Sequence, residues 1–310
     1  MADGSSKSSP QGGSYADGAG LGLTGQWILD SHNDWTRVTV SSFYGEVKMS
    51  TMREPFFHAW IADRVMINEK LLSACQTIDQ KLASIAAAAA SSRLVGGTSH
   101  GKDARTISLS VKSREVVGTC SDLLRRDLLW LQAKAKALNL SLSVRSPDEV
   151  SYGVYMITSC IDRAVNQVAN VVCGVLAVWT FMIAATVGWG ALKSGIKCNH
   201  PLYREFIEFF SRDEEIAAAL ELQDSLDALL QSSEDEYMGP VIGPDEKIHG
   251  AREFSYELFL EMLRAIYAHL QHIVHKSAAG DKADLVCNKC GRHGHNVRIC
   301  TFKGHTSLTF

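Results

Sequence analysis

Apolar positions recur along most of this chain at the three-and-four spacing of helices, and at alternate positions only in short stretches of its N-terminal half. Leu71, Cys75, Ile78, Leu82 and Ile85 mark one face of a helix predicted over 55–92. Two heptads fall short of the three or four that argue for a coiled coil, so this seam reads as an ordinary core-facing helix. It runs into the alanines at 86–90 and stops before Gly96 and Gly97. A helix is predicted over 121–137, and another begins where Ser146 offers a cap, Pro147 suits the first turn and Glu149 stands three residues after the cap. From there the pattern is helical almost to Lys193. His200 and Pro201 restart a helix bearing Phe206, Phe209 and Phe210, and further helices are expected over 213–231 and 250–276. Alternation suggests strands at Val38 and Val40 within 27–49, at Ile107, Leu109 and Val111, and at Leu138, Leu140, Leu142 and Val144. The expected fold is mainly α with a small N-terminal β component.

The stretch 168–192 holds no charge and would be long enough to cross a bilayer. Asn170, Thr180, Thr186, Gly174, Gly188 and Gly190 weaken its insertion tendency, so a buried core helix is preferred, with a membrane span at 168–192 as the alternative.

The chain has 310 residues, 46% of them hydrophobic and 21% charged, with a formal net charge of −3, which excludes wholesale disorder and a polytopic membrane protein. Residues 1–24 are rich in Gly and Ser and lack a secretory apolar core, so they read as a disordered tail and not a signal peptide. The body is expected over 25–276, a linker over 277–286 and a second tail over 301–310. Five of the eight cysteines (Cys75, Cys120, Cys160, Cys173 and Cys198) stand singly among apolar positions, which favours a reducing, cytoplasmic location. The near-zero net charge is a cancellation. Segment 205–261 carries sixteen acidic against three basic residues, whereas 102–145 and 276–303 are basic.

The other three cysteines crowd into the C-terminal end. Cys287, Cys290, His295 and Cys300 follow a C-x2-C-x4-H-x4-C spacing that can surround one tetrahedral Zn²⁺, with Gly291 and Gly294 where the backbone must turn sharply. So short a module has no hydrophobic core, and metal binding would supply its folding energy. Segment 287–300 resembles the CCHC zinc knuckle of retroviral and retrotransposon Gag nucleocapsids and of many cellular RNA-binding proteins, and its GHN-x-R-x-C ending is similar to knuckles of plant Mutator-like transposases. That resemblance implies single-stranded RNA or DNA as partner. Lys289, Arg292, Arg298 and Lys303 would meet phosphates, while Val297 and Ile299 would offer a small apolar surface to bases.

Other chemistry is weaker. The segment 96–103 nearly matches a phosphate-binding loop, but Asp103 replaces the hydroxyl that such loops place on the metal. No catalytic constellation can be assigned, so binding is expected and not catalysis. The sequence therefore predicts a nucleocapsid-like or replication-associated nucleic-acid-binding protein that forms homo-oligomers through its helical body, or a membrane-anchored factor with a cytosolic knuckle.

Overall fold

In the computed structural model, which describes residues 22–94, 100–142, 151–166, 171–193, 198–232, 241–242, 248–249 and 251–279, helices form nearly every described segment. Three short ones come first among the described residues: α1 (Leu23–Asp30), α2 (His32–Thr39) and α3 (Ser42–Lys48). The N-terminal β component expected within 27–49 is thus absent. In a strand Val38 and Val40 would share a face, but Val38 is fully buried and Val40 is 73% exposed. The Thr24 backbone N–H and hydroxyl both donate to Asp227, each at 2.9 Å, and so tie α1 to a distant helix.

Two long helices, α4 (Glu54–Leu94) and α5 (His100–Ala137), lie antiparallel, with Arg114 paired to Asp79 at 2.7 Å. The seam read from Leu71 to Ile85 is therefore part of a helix pair longer than two heptads. On α5 the buried positions are Asp103, Thr106, Ser110, Ser113, Val117, Cys120, Leu124, Asp127, Leu131 and Ala135, at steps of three and four. This overturns the strand expected at Ile107, Leu109 and Val111. Small hydroxyl residues occupy the core phase there, since they allow close helix approach, and Val111 points outward at 44% exposure. Ser225 of a later helix donates to Ser113 at 2.8 Å on that seam. The strand expected from Leu138 fails for a different reason: α5 ends in a left-handed Asn139 (φ 55°), with the Leu140 N–H returning to the Ala135 carbonyl at 2.8 Å. Val144 and the cap expected at Ser146 lie outside the described residues. The hydroxyl that caps the next helix is that of Ser151, which accepts the Val154 N–H at 3.2 Å.

The helices that follow are α6 (Tyr152–Asn166), α7 (Val171–Lys193), α8 (Pro201–Phe210), α9 (Asp213–Gln231) and α10 (Ala251–Ala279). Among the described residues the strands are confined to a two-residue antiparallel pair, β1 (Val241–Ile242) with β2 (Ile248–His249), preceding α10. The uncharged stretch is α7, and it is the core of the bundle. Trp189 meets Trp60 of α4, Gly174 lies against Ile78 of α4, and Trp179 stacks on Phe259 of α10 at 5.7 Å. Among the described residues α7 alone is long and apolar enough to cross a membrane, and most of it is buried by its neighbours.

Candidate functional site

Counting back from Leu71 in the same steps of four and three reaches Asn68, Arg64, Ile61 and Phe57. All four are buried. The core seam of α4 thus contains a cation and an amide at consecutive inward positions, four residues apart on one face. Asp127 holds the corresponding inward position on α5, near enough to Arg64 to act on it electrostatically. Polar side chains in a core phase are costly unless satisfied, so their partners decide what the region can do.

Arg64 is 7% exposed, its guanidinium lying 4.4 Å over the Phe181 ring of α7 and 5.5 Å from that of Phe210 of α8. Burial weakens its hold on its proton, and Asp127, Tyr44 and Glu215 act in the opposite direction. Tyr44 is buried and kept neutral by desolvation. It fits because Gly188 has no side chain: a Cβ there would come within 2.2 Å of the Tyr44 ring. Beyond Asp127 the network is closed by two arginines. Arg212 reaches Asp127 at 3.0 Å and Glu215 at 2.7 Å, while Arg126 reaches Glu215 and Glu214, both at 2.8 Å. Burial, then Glu215, push the Asp127 carboxyl up to about 7 against the pull of Arg64, Arg212 and Arg126.

On the other flank of α4, Asp63 faces His269 of α10, with Oδ2 to Nδ1 at 3.7 Å, and Ser151 Oγ is 3.4 Å from that same Nδ1. Ser, His and Asp thus converge, yet not as a nucleophile relay. A relay needs the serine and the carboxylate on opposite ring nitrogens. Here both address Nδ1, and Ser151 already caps α6. His269 is neutral, its pKa pushed down to about 3 by burial and then by His272 and Arg64. Four of the described cysteines are not activated as nucleophiles either: burial pushes the Cys75, Cys160 and Cys173 thiols up to about 12 and Cys120 up as well.

Several of these groups lack internal partners. Neither the amide nitrogen nor the oxygen of Asn68 has a hydrogen-bond partner, and the same holds for Arg64 Nε, Trp179 Nε1 and His269 Nε2. All four residues are at most 7% exposed, and they sit on α4, α7 and α10. Such groups want a polar ligand or water. A shallow depression of about 520 Å³ by Lys193, Arg212 and Asp213 is a weaker candidate, because its charges neutralise one another, Lys193 holding Asp213 at 2.7 Å.

The residues predicted from sequence are not among those described. Cys287, Cys290, His295 and Cys300, with Lys289, Arg292, Val297, Arg298, Ile299 and Lys303, are outside the described residues, as is the linker from 280 onward. Among the described residues no group of three or more His, Cys, Asp or Glu side chains is placed to hold a metal ion. Of the near-miss phosphate loop only 100–103 is described, and Gly101 and Asp103 belong to the first turn of α5. Arg64, Asn68 and Asp127 were available to sequence reading as polar residues falling in phase with an apolar seam.

No protein family's sequence profile matches the chain, and no curated protein matches it in sequence. Its fold does match solved structures. A TenA homologue from Pyrococcus furiosus superposes with a TM-score of 0.57 at 15% identity, covering 80% of this chain and 98% of that one. A TenA family transcription regulator from a Silicibacter species gives 0.56 at 12% identity, with 81% and 96% covered. A TenA homologue from P. horikoshii gives 0.54 at 13% identity, with 82% and 98% covered. At such identities the likeness establishes the fold alone. It corrects the expectation from the C-terminal motif: the body is a TenA-like helical fold, and the zinc-knuckle, nucleocapsid-like nucleic-acid-binding protein and its membrane-anchored alternative are both set aside.

Proposed function

We propose that the chain is a TenA-like protein that encloses a small, flat, polar molecule in the centre of its helical bundle. The observation that carries this reading is the wholly buried Asn68, whose amide nitrogen and oxygen are both without partners in the bundle core. An amide with two free donors and a free acceptor suits a ligand that offers both kinds of group. Phe181 of α7, whose ring lies 4.4 Å under the Arg64 guanidinium, supplies aromatic surface one helical turn from Asn68, and flat molecules bury well against rings. Asp63 and the free Nε2 of His269 are the groups that could exchange a proton with such a guest.

The test is thermal melting of the full chain against a panel of small aromatic heterocycles bearing amino, carbonyl or hydroxyl groups, with Asn68→Leu alongside. Members of the panel should raise the melting temperature saturably. In Asn68→Leu that rise should vanish, while the free chain gains about 1–2 kcal/mol because two unsatisfied polar atoms leave the core. A panel without effect, together with an Asn68→Leu chain less stable than the parent, would overturn the reading and make Asn68 a structural amide.

A further inference from the structure

Arg64 is the one lysine or arginine buried among the described residues, and its surroundings leave its charge short of a partner. No carboxylate of the described residues forms an ion pair with it, and its Nε has no hydrogen bond. The nearby acids are engaged elsewhere. Glu215 Oε1 accepts from both Arg126 and Arg212, at 2.8 and 2.7 Å, and Asp127 Oδ1 accepts from Arg212 at 3.0 Å. Burial pushes the Asp127 carboxyl up, which weakens it as a counter-charge, and its ion pair is with Arg212. Asp63 is turned toward His269. The Phe181 face at 4.4 Å offsets some of the lost hydration but satisfies none of the guanidinium's donors. One helical turn on, Asn68 adds two more unpaired amide hydrogens on the same face.

A buried guanidinium without a carboxylate of its own, beside a free amide, is a donor set for a planar or tetrahedral oxyanion. We propose that Arg64 and Asn68 together bind an oxyanionic group, carboxylate or phosphate, carried by the ligand of the buried centre. This rests on the ligand-site reading above and specifies its chemistry. Replacing an unpaired buried charge by an apolar side chain of similar length should not harm the empty protein, whereas removing a structural ion-pair member would.

The experiment uses the full chain, titrated with benzoate, phenyl phosphate and the neutral benzamide, reading both melting temperature and dissociation constant. Benzoate or phenyl phosphate should bind at least about tenfold more tightly than benzamide, a gap matching the loss of one charge-assisted contact. Which of the two binds more tightly identifies the oxyanion. Arg64→Met should abolish that preference yet melt at or above the temperature of the parent, and Asn68→Asp, which places a like charge beside the oxyanion, should abolish it too. Equal binding of benzamide and the anions, unchanged in Arg64→Met, would leave the ligand site standing and overturn the oxyanion. Failure of all three compounds to bind, with the heterocycle panel still raising the melting temperature, would overturn the oxyanion alone, and failure of both sets would remove both readings. An Arg64→Met chain that no longer folds would make Arg64 a structural ion and overturn the proposal equally.

Discussion

Asp127 and His269 are buried titratable groups moved in opposite senses, and their effects on stability oppose each other over the same range of pH. Asp127 titrates near 7 when folded and near 3.8 when unfolded, so the folded state holds its proton more tightly. Its contribution to stability is full below pH 3.8, declines as pH rises to about 7, and is constant above. His269 titrates near 3 when folded and near 6.5 when unfolded, and so contributes fully above 6.5 and progressively less as pH falls toward 3. The two slopes partly cancel in the parent chain. Asp127→Asn removes one of them, so the stability of the parent minus that of Asp127→Asn should fall between about pH 4 and 7 and level off above. Urea unfolding of both chains across that range checks this, and a flat difference would mean that Asp127 titrates normally. At this scale the sequence held more than its hydropathy showed. Arg64, Asn68 and Asp127 stand in register with apolar seams, but a polar residue is usually taken to end a seam, and only a packed core shows that it continues one.

Among the elements, the crossing of α6 and α10 depends most on a single residue. A Cβ at Gly153 would lie 2.3 Å from the His269 Cα and 2.4 Å from its nitrogen, both main-chain atoms that cannot swing aside. Gly153→Ala should therefore destabilise the chain by about 1–3 kcal/mol through helix displacement and should also move His269 away from Asp63. Chemical denaturation gives the first effect and the imidazole titration by NMR the second. Full stability in Gly153→Ala would show that the helices are free to separate. Most helices were legible in advance, because α4, α8, α9 and α10 each carry an unambiguous helical apolar face. The expected strands were not real, since two or three alternating residues fit both a strand and part of a helical turn when small hydroxyl residues hide the true phase.

At the scale of the whole molecule, α7 is an interior helix wrapped by α4, α6, α9 and α10. Its backbone amides should be among the last to exchange with solvent, opening only with global unfolding. Hydrogen exchange read by mass spectrometry over 171–193 tests this; rapid exchange there would mean that its neighbours do not enclose it. The sequence by itself determined that the chain is helical and which faces turn inward, because amphipathic spacing is a local property of each segment. It also carried an apolar stretch and a cysteine cluster whose weight in the whole it could not rank. Only the tertiary structure decided that the apolar stretch is a core and not a membrane span, and that Arg64 of α4 is buried within electrostatic reach of both Asp127 of α5 and His269 of α10. Burial and partnership are relations between segments, and a polar residue's cost, and hence its use, is set by what the fold does or does not place against it.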